Sequence, residues 1–157
     1  MERQFLKCLY LISKETFIKL FEFIYDSDHY IRELKEFYES LGLKVKVIKQ
    51  ENMAPALDVA DNSKFEYNWQ SDKNTGMFFY FFDEQIGDEV KYSVHINSIV
   101  IAKRNRGTGL ASKMIRGLVD IFGEDLREIT LDDMSNSDFW KFMEKKHNHI
   151  NWVIEEN

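Results

Sequence analysis

Ile99-Val-Ile-Ala-Lys-Arg-Asn-Arg-Gly-Thr-Gly-Leu-Ala-Ser112 is the stretch on which the reading of this chain turns. Its opening is apolar and β-branched, which suits a strand. Gly107 and Gly109 follow. From Thr108 onward the apolar residues recur at helical spacing, through Leu110, Met114, Leu118 and Phe122, with Ile115 and Val119 filling the stripe and Gly123 at its end. The segment therefore predicts a strand, a tight loop and a helix. Such a junction is an anion cradle. Glycines let successive backbone N–H groups turn toward one point, and the helix N-terminus adds its partial positive charge. Arg104 and Arg106 add charge at the rim. The expected guest is a phosphate or pyrophosphate.

Two common phosphate motifs do not fit. A Walker A loop needs four residues between its first Gly and a Gly-Lys-Ser/Thr, and that arrangement is missing here. The dinucleotide fingerprint G-x-G-x-x-G is incomplete, because Ser112 stands where its third Gly belongs. That fold also wants the unit early in the chain, whereas here it follows a run of strands.

Upstream of the segment, Phe5 to Ile12 is short and apolar and reads as a strand, with Ser13 as a helix cap. Phe17, Leu20, Phe21 and Ile24 share one helix face. Asp26-Ser27-Asp28 reads as a break that caps a second helix, with Ile31, Leu34, Phe37, Tyr38 and Leu41 on its apolar side and Gly42 as a left-handed end. Leu43 to Ile48 alternates like a half-buried strand, Glu51 to Ser63 reads as a loop around Pro55, and Phe65 to Trp69 as a short strand. Met77 to Phe82 is an almost continuous apolar run and predicts a buried strand. Val90 to Ile101 is long enough for two strands or a bulged one. Downstream, Ile129 to Leu131 is a strand, Ser137 to Lys146 an amphipathic helix through Phe139, Phe142 and Met143, and Trp152 to Ile154 a last strand. Consecutive strands followed by helical crossovers give an α+β fold, with a central mixed, mostly antiparallel sheet flanked by helices, in one domain over 1–157.

Composition narrows the function. The 157 residues carry 21 basic and 27 acidic side chains, net −6, which disfavours nucleic acid as a partner and is compatible with a cationic amine. A single cysteine, Cys8, rules out an internal disulfide and a cysteine zinc cluster, and points to a reducing compartment. The four histidines lack HExxH spacing, so no metal is expected. His147 and His149 read as surface residues near a turn. No apolar run approaches the roughly 18 residues of a membrane span, and the expected location is cytoplasmic, with no membrane partner.

The glycine segment resembles the GNAT superfamily of acyl-CoA-dependent N-acyltransferases. The signature of that family, Arg/Gln-x-x-Gly-x-Gly/Ala at a strand-to-helix junction, is matched by Arg106-Gly-Thr-Gly109-Leu-Ala111, and in a second register by Arg104-Asn-Arg-Gly107-Thr-Gly109. The first register keeps Ile99 and Ile101 alternating on the preceding strand. The resemblance implies that the loop backbone through Arg106, Gly107, Thr108, Gly109, Leu110 and Ala111 binds the pyrophosphate of acetyl-CoA or another acyl-CoA. It implies too that the strand backbone at Ile99, Val100 and Ile101 pairs with the pantetheine arm. By pattern it covers about residues 94 to 148. It also implies transfer of an acyl group to an amine by direct attack in a ternary complex, and it leaves a homodimer open.

Asn136-Ser-Asp-Phe-Trp-Lys-Phe-Met-Glu-Lys is similar to a second family pattern. Asn136 is expected to cap its helix and reach the cofactor arm. The family's tyrosine, which protonates the departing thiolate, is replaced here by Met143. A slow enzyme is therefore expected, with Met143→Tyr giving a gain. The aromatic stripe Phe139, Trp140 and Phe142 reads as core. Family members often carry a Glu base near the place of His95. His95 has a suitable ordinary pKa for taking the proton of an amine, while a strand histidine among apolar neighbours is also a common structural residue. Tyr80, Tyr92, Ser98 and Glu66 are other proton-shuttle candidates. Lys44, Lys46 and Lys49 on one strand and Asp132 and Asp133 after another all read as solvated surface, and the two aspartates also lie where a strand end can meet an amine substrate. Two other readings stand beside the enzyme: an acyl-CoA-binding module without turnover, and a protein-interaction module that ignores CoA.

Overall fold

In the computed structural model, which describes residues 14–61, 74–132 and 136–155 (14–26 as backbone), the elements alternate as the sequence leads one to expect from the middle onward. They are helix α1 (Lys14–Ser40), strands β1 (Lys44–Ile48), β2 (Ala56–Ala60), β3 (Gly76–Ile86) and β4 (Glu89–Val100), helix α2 (Leu110–Phe122), strand β5 (Leu126–Leu131), helix α3 (Ser137–Lys146) and strand β6 (Asn151–Ile154). The strand expected at Phe5 to Ile12, with Cys8, the cap Ser13, the strand expected at Phe65 to Trp69, and Asp133 all lie outside the described residues. The chain divides into two compact units, Met1–Glu33 and Leu34–Asn157. The sheet, α2, α3 and the last residues of α1 belong to the second. No helix among the described residues is long and apolar enough to cross a membrane.

The strands form one six-stranded sheet in the order β1-β2-β3-β4-β5-β6. The first three pairings are antiparallel and the last two parallel. The fold is thus α+β with a mixed, mostly antiparallel sheet. The parallel pairs need crossovers, and α2 and α3 supply them. Both helices cover the same face. The Phe122 ring packs edge-on against Phe81 at 5.2 Å and near Tyr92 at 5.4 Å. Trp140 lies 6.4 Å from Trp152, whose register partner Ile129 shares the face of Val94. Met77, Phe79, Phe81, Tyr92, Val94, Ile96, Ile129 and Leu131 are among the buried residues of that face.

Three expectations need correction. The run Met77 to Phe82 is not buried throughout: Met77, Phe79 and Phe81 point into the core, while Phe82 on the opposite face is 43% exposed. The segment Glu51 to Ser63 contains β2, with Leu57 and Val59 fully buried between neighbours on both sides. Asp26-Ser27-Asp28 does not break the N-terminal helix, because α1 runs through it. None of the three is Gly or Pro, and their propensity cost, at most about 0.7 kcal/mol each, is too small to stop a helix. The end is as expected: Gly42 is left-handed at φ 82°, and the Gly42 and Leu43 amides donate to the Glu39 and Tyr38 carbonyls.

The last turns of α1 lie against α2 through two contacts. The Phe37 ring fills the place that a side chain at Gly117 would need, since a Cβ there would meet the ring at 2.1 Å. Next to it the fully buried Tyr38 donates its hydroxyl to the Met114 carbonyl at 2.9 Å. Burial holds the Tyr38 phenol well above the ordinary tyrosine range. The anion is therefore disfavoured in the fold and not in the unfolded chain, where the group ionises near pH 10. Below that pH the contribution is fully present, and it is lost as pH rises beyond it. Tyr38→Phe is expected to cost about 1 kcal/mol at neutral pH and to flatten the loss of stability above about pH 10, both measured by denaturant unfolding across pH.

Candidate functional site

The site begins where β4 and β5 part. Their last paired residues are Ile96 and Leu131, after which the Asp132 amide donates to the Ile96 carbonyl at 3.2 Å. β4 continues through residues 97–100, paired only with β3. A bulge sits at the same point: Phe78 opposes Ser98 and Phe79 opposes Ile96, leaving Asn97 as the extra residue. The long segment Val90 to Ile101 is therefore one bulged strand. A bulge sharpens twist and bends its strand, and this one sits where β4 loses β5 as a partner. The gap is a cleft of about 660 Å³.

The cleft gathers segments distant in sequence. Ile99, Val100 and Ile101 line it from the strand end, Asn105, Arg106, Gly107 and Gly109 from the loop, Leu110, Ala111 and Ser112 from the first turn of α2, and Asn136, Phe139 and Trp140 from the start of α3. Gly107 and Gly109 adopt φ 75° and 79°, a region costly for other residues. Gly109 is also the N-cap of α2, and no side chain caps that helix. Its first amides carry the partial positive charge of a helix start. Of the residues expected at the pyrophosphate, Thr108 alone is not brought to the cleft wall: its hydroxyl turns back to the Asn105 carbonyl at 2.5 Å. Arg106 lies at the rim, with Nε donating to the Ile101 carbonyl at 3.2 Å. Arg104 pairs with Asp61.

The loop is held by Thr75, a residue without a motif or pattern to mark it in the sequence. Thr75 is fully buried just before β3, and its hydroxyl oxygen accepts from the Ala102 amide and from Asn105 Nδ2, each at 2.9 Å. The strand end and the loop thereby share one anchor.

Asn136 caps α3 as expected, its side-chain oxygen accepting from the Phe139 amide at 3.3 Å. The stripe below it is rotated from the expected one. Trp140 and Met143 are buried, whereas Phe142 is 55% exposed with the Lys146 ammonium over its ring. Phe139 and Trp140 serve the cleft as well as the core. Met143 is fully buried and is not part of the cleft wall. A tyrosine at that place would be a large ring in a packed core, a change that typically costs about 1–3 kcal/mol. Met143→Tyr is therefore not expected to give a gain.

His95 stands beside the fork, on the sheet face opposite α2 and α3. Its Nε2 lies 2.9 Å from Asp132 Oδ1, and its ring stacks on Tyr80 at 4.8 Å and 11°. Asn97 Nδ2 approaches Asp132 Oδ2 at 3.4 Å. The Tyr80 phenol is raised, first by burial and then by the Asp132 and Glu155 carboxylates, so it stays a neutral donor near pH 7. No family model matches the chain, and no curated protein matches it in sequence. The site stands on its geometry.

One histidine reading is corrected. His147 is not a surface residue: it is 8% exposed at the end of α3, and its Nε2 is buried without a hydrogen-bond partner. Burial lowers its pKa, helped by Lys146, His149 and Arg116 and opposed by Asp120. Lys44 and Lys46 are exposed, as a solvated face requires.

Thr75→Val keeps the shape and removes the acceptor of two donors. An unpaired buried amide costs about 1–3 kcal/mol, so the variant is expected to unfold at lower denaturant and to lose hydrogen-exchange protection at the Ala102 amide. Thr75→Ser is expected to retain both.

Proposed function

We propose that the cleft binds an acyl-CoA, most simply acetyl-CoA, and that the chain transfers the acyl group to an amine by direct attack in a ternary complex. The observation that carries this reading is the convergence in one cleft of the glycine loop, an uncapped helix start, the unpaired strand end and Asn136. In this reading the loop amides of residues 106–111 and the Arg106 guanidinium hold the pyrophosphate, and the unpaired edge of residues 99–101 pairs with the pantetheine arm as an added strand would. The fit is supported by the two glycines, whose missing side chains leave open space where a Cβ would project. A backbone N–H near the strand end polarises the thioester carbonyl. His95 takes the proton of the acceptor amine, which is mostly charged at neutral pH. The acidic surroundings of Asp132 and Glu155 and the net charge of −6 favour a cationic acceptor over nucleic acid. The cytoplasm, where acyl-CoA is made and thiols stay reduced, suits a chain with one cysteine.

A second reading, acyl-CoA binding without turnover, is favoured by the buried Met143 where the resemblance leads one to expect a tyrosine acid. Against it, a thiolate whose pKa is about 8.5 leaves tolerably without an acid.

Gly109→Val places a β-branched residue at φ 79° and in the path of the pyrophosphate. Calorimetry is expected to show CoA affinity falling tenfold or more, about 1.4 kcal/mol, and unchanged affinity would exclude the loop as the site. Arg106→Ala is expected to weaken CoA more than a pantetheine fragment that lacks the phosphates. Equal losses would make Arg106 structural. Thiol release from acetyl-CoA in the presence of an amine panel separates the two readings: the enzyme releases thiol, and the module binds without doing so. His95→Ala is expected to lower that rate by 10²-fold or more, the order of a general base, with acetyl-CoA affinity kept.

A further inference from the structure

We propose that Asp132 is the positioning residue for His95, and that the atom of His95 that accepts the amine proton is Nδ1. The proposal deepens the acyl-transfer reading and rests on it for the reaction.

An ionised carboxylate only accepts hydrogen bonds, so the 2.9 Å contact between Nε2 and Asp132 Oδ1 places the ring hydrogen on Nε2. A neutral imidazole carries one N–H, and its lone pair is then on Nδ1. Asp132 is itself held at the fork. Its amide donates to the Ile96 carbonyl, and its second oxygen faces Asn97 Nδ2. Tyr80 fixes the plane of the imidazole by stacking on it. Backbone pairing from β5, the bulge on β4 and an aromatic ring from β3 thus define the orientation of one side chain.

The arrangement also acts at the moment of reaction. When Nδ1 takes a proton the ring becomes a cation, and the carboxylate already bonded at Nε2 stabilises it. Before the transfer the same contact is only a hydrogen bond to a neutral ring, so its stabilisation is larger after the proton has moved. Among the described residues, the groups facing the ring are Asp132 from the end of β5 and Tyr80 from β3, whose phenol in turn feels Glu155 beyond β6. The proton balance is simple. One N–H bond of the ammonium breaks and Nδ1–H forms, the freed nitrogen lone pair bonds to the acyl carbon as the carbon–sulfur bond breaks, and the second N–H proton leaves with the departing thiolate or to solvent.

Nitrogen-15 NMR of the full-length protein reads the tautomer directly. The result expected for the neutral imidazole of His95 is an Nε2-protonated ring with an unprotonated Nδ1. In Asp132→Asn the preference weakens, and the rate of acyl transfer from acetyl-CoA falls on the order of 10–100-fold, as for other oriented histidines. Acetyl-CoA affinity stays unchanged, and Asp132→Glu recovers part of the rate. An Nδ1-protonated ring in the wild-type protein overturns the proposal and needs no variant to fold. So does an Asp132→Asn protein with the wild-type rate and tautomer. If the wild-type protein transfers no acyl group to any amine of the panel, the acyl-transfer reading fails and takes the role of Asp132 with it. The NMR result then still reports on the His95–Asp132 contact alone.

Discussion

The ladder between β4 and β5 ends at the 3.2 Å bond from the Asp132 amide to the Ile96 carbonyl, while β4 runs four residues further. A backbone edge without a strand partner is costly to bury and ready to pair with something else. Inside a sheet that edge has a neighbour only on one side, and the space on the other is the cleft. The bulge at Asn97 lies at the same point. The same two residues, Ile96 and Asp132, also begin the His95 contact, so the mouth of the cleft and the proposed base share one structural origin.

Opening a sheet from within weakens its local pairing, and the residues near the fork compensate. Thr75 takes two donors from the strand end and the loop. Gly76, next to it, lets β2 approach closely, since a Cβ there would lie 2.9 Å from the Val59 carbonyl oxygen. The start of β3 is thereby pressed against β2 on one side while it anchors the loop on the other. Thr75 thus ties the loop to the first residues of β3, and the loop buries Ala102 beside it.

Local period made part of this legible. The α2 stripe was readable because Met114, Ile115, Leu118, Val119 and Phe122 are all apolar and all face the core. The glycine loop was readable because two residues in three needed left-handed geometry. The α3 stripe was not, since Phe139, Trp140, Phe142 and Met143 offer two overlapping apolar faces and only packing against Trp152 chooses between them. β2 was hidden by Pro55 and by alanines at both ends, because its identity comes from pairing with β1 and β3 rather than from its own composition. Neither Thr75 with Ala102 nor His95 with Asp132 has a sequence signal. Each pair is joined by tertiary pairing across a long separation in the chain.

The charge around His95 poses a physical question of its own. Asp132 and Glu155 attract an ammonium ion, and an ammonium so stabilised is harder to deprotonate. In the proposed reaction the same carboxylate also stabilises the imidazolium that forms. Which effect wins depends on distance, because Coulomb attraction falls with separation and is weakened further wherever water intervenes. Asp132 touches Nε2 at 2.9 Å across a part-buried contact, whereas an amine presented to Nδ1 lies on the far side of the ring from that carboxylate. In the proposed reaction the nearer charge therefore stabilises an imidazolium more than it stabilises the ammonium, which narrows but does not reverse the tighter hold of an ordinary amine on its proton. Under that reading, fixing the imidazole with Nε2 toward Asp132 makes an acidic surface lower the cost of moving the proton from the acceptor to the ring.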